Sequence, residues 1–250
     1  MQRDEIIRYL NDLLDAESFR DYAPNGLQVE GKAEVNRILL GVTASQAMVD
    51  AAAERGADML LVHHGWFWKG EPAVITGMKR RRLAKLLSHD INLVGYHIPL
   101  DAHPTLGNNA ELARLLSLKP IGRAADMDLV WICEPEEGTL SLAAFVERVS
   151  SVLDRAPLVL GHTEEPLTRI ALCTGAAQDW ISVAAEHGAQ LYLSGEVSER
   201  TTHEAVENDI VYLAAGHHAT ERFGIQALGR ALKEAFPSLD VSYLEINNPV

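Results

Sequence analysis

Met59-Leu60-Leu61-Val62-His63-His64-Gly65 sets the architecture of this chain. Four apolar residues of strand length run into two adjacent histidines and a glycine. A buried strand offers no water to a polar side chain, so His63 and His64 mark the point where it emerges. Neutral imidazole is the commonest protein metal ligand. Side chains alternate along a regular strand, so the pair can serve one site only where the strand breaks, and Gly65 permits a break.

Upstream, Val35 to Val42 reads as another strand. Ser45 is placed to cap a helix over Gln46–Arg55, which Gly56 ends. Strand, helix and strand make a βαβ unit with a parallel strand pair. Before it, Asp4 to Leu14 has its apolar residues at helical spacing, with Asp4 as a candidate cap. Pro24-Asn25-Gly26 marks a turn. Downstream, Trp66-Phe67-Trp68 is open to three readings: a pocket wall, loop packing or an oligomer contact. Lys79-Arg80-Arg81-Arg82 reads as the solvated face of a helix. A strand over Ile91–Gly95 then runs into Tyr96-His97-Ile98-Pro99-Leu100-Asp101.

The unit returns at Arg169. Arg37-Ile38-Leu39-Leu40 meets Arg169-Ile170-Ala171-Leu172, and Ala52-Ala53-Glu54-Arg55-Gly56-Ala57 meets Ala184-Ala185-Glu186-His187-Gly188-Ala189, at one constant offset. Shared Ala, Leu and Glu are common in helices; the shared Gly, Arg and Gln at fixed register indicate duplication. Gly195-Glu196 aligns with His63-His64. Each half also ends alike: His97-x-x-x-Asp101 in the first, His217-x-x-x-Glu221 in the second, both just beyond a strand. On a helical turn, residues i and i+4 share a face. The expected fold is α/β with some α+β character. It has a first lobe over residues 1–118, a smaller inserted α+β subdomain over 119–165, and a second lobe over 166–250.

His63, His64, Asp101, His217 and Glu221 offer imidazole nitrogen and carboxylate oxygen without thiolate. This suits Zn²⁺, Mn²⁺, Fe²⁺, Co²⁺ or Ni²⁺. Five such ligands exceed what one catalytic ion takes and fit two ions sharing a carboxylate, an arrangement suited to hydrolysis. His97 is a further ligand, a proton shuttle or a partner that orients a carboxylate. His103, Glu196, His203 and His218 are candidates to line the same cavity, whereas His89, His162 and His187 read as surface residues. Acids and histidines also collect at strand ends because those ends are wet; the paired His-x-x-x-acid pattern argues for a site.

At 250 residues, with 47% apolar and 23% charged residues, the composition is that of a globular protein. A formal charge of −13 argues against a nucleic-acid backbone as partner. Cys133 and Cys173 are the only cysteines, and both sit in apolar runs, so neither a disulfide framework nor a Cys-type zinc site is expected. The start has no signal-peptide core and no apolar stretch spans a membrane, which reads as a cytoplasmic protein.

Asn25-Gly26-Leu27-Gln28-Val29, His63-His64-Gly65, His97-x-x-x-Asp101 and Gly216-His217-x-x-x-Glu221 together resemble the NIF-three-like dinuclear metal-centre family. Its bacterial YbgI-type members are often labelled "GTP cyclohydrolase 1 type 2 homologue". The resemblance implies two αβ lobes around a dinuclear site and a toroidal homohexamer, a trimer of dimers. It implies His63, His64, Asp101, His217 and Glu221 as ligands, with Glu221 bridging and His97 a site histidine. His97 and Glu221 are then the candidate catalytic residues. The implied activity is metal-dependent hydrolysis of an amide or phosphoester bond in a nucleotide or related heterocycle; the competing reading is a non-catalytic metal-handling or regulatory ring. No phosphate-binding Gly-x-x-x-x-Gly-Lys-Ser/Thr loop and no dinucleotide fingerprint is present to name the substrate.

Overall fold

The computed structural model describes residues 1–250 and divides into two units. The first comprises Met1–His103 and Ile225–Asn247, the second Pro104–Gly224 and Asn248–Val250. In chain order the first contains α1 (Arg3–Leu14), β1 (Gly26–Val29), β2 (Arg37–Thr43), α2 (Gln46–Glu54), β3 (Met59–His64), α3 (Gly77–Ser88), β4 (Asn92–Gly95) and α4 (Ile98–Ala102). The second contains α5 (Asn108–Leu115), β5 (Leu118–Ala124), β6 (Val130–Pro135), α6 (Leu142–Leu153), β7 (Leu158–Leu160), β8 (Ile170–Leu172), α7 (Ile181–Glu186), β9 (Leu191–Ser194), α8 (Glu199–Glu207) and β10 (Val211–Ala214). Helix α9 (His217–Ala235) begins in the second range and ends in the first, and β11 (Asp240–Tyr243) follows it.

Period-two alternation builds the first sheet, ordered β1-β4-β3-β2-β11, in which only β1 runs antiparallel to its neighbour. Ile38, Leu40 and Val42 of β2, with Met59 and Leu61 of β3, face one apolar layer with Ile6, Leu10, Ile225, Leu228 and Leu232. Leu39, Leu60 and Val62 face the other, with Met48, Val49 and Ala52 of α2. Both faces are covered, which is why the strands read as unbroken apolar runs. Ser45 caps α2 as the sequence suggests, its hydroxyl accepting from Met48 N at 3.3 Å. Asp4 lies in the first turn of α1 instead of at its cap, which Gln2 occupies. Asp58 ties the start of β2 to the turn before β3: its carboxylate accepts from Lys32 Nζ (2.6 Å), Asn36 N (3.0 Å) and Arg37 N (3.1 Å).

The second sheet is ordered β5-β6-β8-β9-β10-β7, with β8, β9 and β10 parallel and the outer strands antiparallel. Ile170, Leu172, Leu191, Leu193, Val211 and Leu213 pack on Phe145, Val149 and Leu153 of α6. The duplication is real at the level of topology: β2-α2-β3-α3-β4 in one unit matches β8-α7-β9-α8-β10 in the other, each with its three strands parallel and in sequence order.

The observed unit boundaries differ from those drawn at 118 and 165. Residues 119–165 supply β5, β6 and β7 to the sheet that holds β8–β10. The acidic stretch that set them apart (Asp126, Asp128, Glu134, Glu136, Glu137) consists of exposed positions and marks surface, not a boundary. Residues 225–247 complete the first unit, because the C-terminal half of α9 and β11 fill its core and extend its sheet. No helix is long and apolar enough to cross a membrane.

Candidate metal-binding residues

In the first unit, β3 delivers His63 and His64 at its C-terminal end, and the ladder continues to a Thr43–His64 rung. The strand therefore ends after the pair and not between its members. At this strand end the two rings lie close, with centroids 4.4 Å apart. Gly65 answers a different need from a break: a Cβ there would lie 2.1 Å from Gln28 Oε1, which accepts from Trp66 N at 2.7 Å. His97 follows β4 as the N-cap residue of α4, and its ring lies 5.3 Å from His63 and 5.7 Å from His64. One nitrogen from each of these three histidines lies within 4.8 Å of the others. Asp101, buried in α4, places Oδ1 3.5 Å from His63 Nε2.

The Nδ1 atom of each ring is engaged by an oxygen. His63 Nδ1 donates to the Tyr96 carbonyl at 2.9 Å, and His64 Nδ1 shares a 3.1 Å hydrogen bond with Thr43 Oγ1. His97 Nδ1 donates to Asp21 Oδ1 at 2.7 Å. In His63 and His97 the acceptor takes the Nδ1 proton, so Nε2 is the basic nitrogen. Burial pushes the Asp21 carboxyl up, but the His97 hydrogen bond and charge, Asn25 and the Ile98 N–H outweigh it and hold it at about 2.

In the second unit, β10 ends at Ala214, two residues before Gly216, and α9 opens at His217. Glu221, one helical turn on, is buried and places Oε2 2.9 Å from His217 Nε2. His217 Nδ1 donates to Glu196 Oε1 at 2.6 Å. Burial pushes the His217 imidazolium down, but Glu221 and Glu196 more than reverse this, raising it to about 9. The pair of carboxylates thus favours positive charge at this point. Gly175 backs the pair at φ +70°: a Cβ there would lie 2.0 Å from Glu221 Oε1 and 3.3 Å from His217 Nε2. Each unit's donors suit a borderline divalent ion: imidazole nitrogen with its Nδ1 engaged, a buried carboxylate, and no thiolate.

Over residues 1–249 the chain matches the model of the Duf34/NIF3 family, NGG1p interacting factor 3. It is a DUF34/NIF3 protein. A Yersinia pestis relative of this family, named "GTP cyclohydrolase 1 type 2 homolog", is 50% identical over 251 residues and is covered completely, as is this chain. Among solved structures, a protein named ybgI, described as of unknown function, is similar at TM-score 0.96 and 48% identity over all of both chains. A Thermus thermophilus protein is similar at TM-score 0.90 and 34% identity, again over all of both chains.

Other expectations for this DUF34/NIF3 chain divide. Trp66 is loop packing: it is buried, with Nε1 donating to the Ala44 carbonyl at 2.8 Å. Trp68 instead stands edge-on to His97, with centroids 4.9 Å apart. Phe67, between them, takes φ +65°, a conformation a bulky side chain adopts only under constraint. His103 does not join the three-histidine group and bonds toward the Leu13 backbone. His203 is exposed on α8 beside Glu199. His218 is buried, and its backbone N–H donates to Val250 O at 3.0 Å. His89, His162 and His187 are exposed. Both cysteines are buried, and burial pushes the Cys133 thiol up to about 12.

Asp21 escaped sequence reasoning entirely. It lies 76 residues from His97, in coil without periodicity, and its only signal is its place four residues before Asn25 of the Asn25-Gly26 motif. Asn25 Oδ1 accepts from His97 N at 2.8 Å.

Proposed function

We propose that His63, His64, Asp101, His217 and Glu221 hold two divalent transition-metal ions per chain, drawn from Fe, Zn, Mn, Ni or Co, with Glu221 shared. We further propose that the protein is a metal-dependent hydrolase. The observation that carries this reading is that Nε2 of His63 and Nε2 of His217 each stand beside a buried carboxylate, Asp101 at 3.5 Å and Glu221 at 2.9 Å. When bound, such a pair of ions polarises a substrate oxygen and makes water a nucleophile near neutral pH. His97, held at Nδ1 by Asp21, carries a proton at Nε2 between substrate and solvent. Trp68 walls the side of the cluster next to His97.

The substrate class is a nucleotide or related heterocycle, cleaved at an amide or phosphoester bond. This reading draws on the name given to the relatives. The protein acts in the cytoplasm as a toroidal homohexamer, a trimer of dimers, as the family resemblance implies.

Elemental analysis of the purified protein beside His63→Ala and Glu221→Gln tests the ligand set. About two ions per chain, reduced in both variants, are expected. A panel of nucleotide, cyclic-amide and phosphoester substrates then tests the chemistry, with turnover lost in Glu221→Gln. Metal-loaded protein inert across the panel would replace the hydrolase with a metal-handling ring. Protein that takes up no metal on reconstitution would overturn both.

A further inference from the structure

On His97 and on His217 the acceptor at Nδ1 is a carboxylate, where on His63 it is the Tyr96 carbonyl. Neither carboxylate belongs to the His-x-x-x-acid motif, and the two come from unrelated places in the repeat. Asp21 precedes the first βαβ unit. Glu196 follows β9, at the position that in the first copy is His64. The duplicated frame has thus arrived twice at the same local chemistry from different residues.

We propose that Asp21 and Glu196 are positioning residues that set Nε2 of His97 and of His217 as the nitrogen presented to the metal centre. The inference rests on the metal-binding reading above. An anionic acceptor at Nδ1 fixes the tautomer, holds the ring plane and strengthens the basicity of Nε2. Asp21 is built for this. Its side chain is 3% exposed. Oδ1 accepts from His97 Nδ1 and from Tyr22 N at 2.6 Å; Oδ2 accepts from Asn25 Nδ2 at 3.0 Å and Ile98 N at 2.9 Å. Four donors on two oxygens leave the carboxylate one orientation. Its bond to Ile98 N also supplies the side-chain cap that α4 does not receive from His97.

Glu196 reaches the same end with less. Its backbone is held, because its N–H donates to the Gly175 carbonyl at 3.1 Å and its carbonyl accepts from the Tyr212 hydroxyl. Its side chain is 36% exposed and makes its hydrogen bond to His217 Nδ1. Removing that side chain therefore disturbs no backbone contact of the fold.

The test uses histidine ¹⁵N-labelled full-length protein, with Asp21→Asn, Glu196→Ala and Glu196→Gln beside wild type. Zinc affinity is measured by competition with a chelator, and ring-nitrogen spectra are recorded with and without zinc. Glu196→Ala is expected to weaken zinc binding by about 10–100-fold and to abolish the strongly hydrogen-bonded Nδ1–H signal of His217, with Glu196→Gln recovering part of both. Asp21→Asn should abolish the corresponding Nδ1–H signal of His97 and leave zinc affinity closer to wild type than Glu196→Ala does, because His97 is outside the proposed ligand set. Affinities within twofold of wild type together with unchanged Nδ1–H signals would overturn the proposal. If Asp21→Asn fails to fold, the Glu196 variants carry the decision alone. Wild type that takes up no zinc would refute the metal-binding reading, while the zinc-free spectra would still report whether the two carboxylates hold the rings.

Discussion

Gly175→Ala is the sharpest single perturbation of the proposed ligand set. Its costs separate cleanly. The backbone at Gly175 has φ +70°, which costs an L-residue roughly 1–2 kcal/mol. The new Cβ would also lie 2.0 Å from Glu221 Oε1, where real contacts stay above 3.0 Å, so the carboxylate must retreat by about 1 Å. Metal ligation tolerates about ±0.2 Å. The second effect is therefore decisive for metal and the first only for stability. Gly138→Ala is the control: φ is +85°, and no atom lies within 4 Å of the added Cβ. Both variants should lose a few degrees of melting temperature, at roughly 2–4 °C per kcal/mol for a chain of this size. Only Gly175→Ala should lose metal. The assay is metal content and chelator-competition affinity on matched preparations, with melting curves. Gly175→Ala protein that holds as much metal as Gly138→Ala, at equal affinity, would refute the assignment of Glu221 as a ligand.

Further outcomes follow from the fold and the donor set. Asp58→Ala leaves the N–H groups of Asn36 and Arg37 without their acceptor and should cost about 1–3 kcal/mol in denaturant unfolding. The same carboxylate gives a pH signature. Burial raises its pKa, but Lys32 and the two backbone N–H groups outweigh it, so the folded form binds a proton less readily than the unfolded chain. Its contribution is whole above about pH 4 and is lost as pH falls through the lowered value, so melting temperature in Asp58→Ala should fall less steeply on acidification. Chelator treatment should lower the melting temperature of wild type more than that of Glu221→Gln, because a ligand bound only to the folded state stabilises it by mass action. Phe145→Ala empties the centre of the second unit's apolar layer and should cost about 3–5 kcal/mol in the same unfolding measurement.

What the sequence disclosed and what it withheld follow one physical division. The βαβ units, the Ser45 cap and the strand-end histidines were legible because each rests on contacts within a few residues: alternation, helical spacing, a cap three residues from its donor. The His217-x-x-x-Glu221 pair was legible for the same reason, whereas Asp101 meets His63 and not His97. The pairing of β6 with β8, the return of β11 to β2, and the bond from Asp21 to His97 were not. Each joins segments whose local composition says nothing of its partner. β11 is only four residues long and carries Asp, Ser and Tyr beside one Val, too little pattern to announce a strand. Composition misled at Asp126–Glu137, where exposed acids resembled a change of domain.

The placing of β11 has a consequence for synthesis. β2 and β11 pair along Arg37–Leu40 and Asp240–Tyr243, and Arg37 Nε meets Asp240 Oδ2 at 3.0 Å across 203 residues of chain. A ribosome adding about 5–20 residues per second takes roughly 10–40 s to cover that distance. For that interval one edge of β2 has no neighbour, and the layer lined by Ile38, Leu40, Met59 and Leu61 lacks Ile225, Leu228 and Leu232. The nascent first half is thus a sheet with a sticky edge and an uncovered apolar face. A message that stops before β11 yields a product prone to aggregate, even though it encodes both histidines of β3, His97 and Asp101 intact.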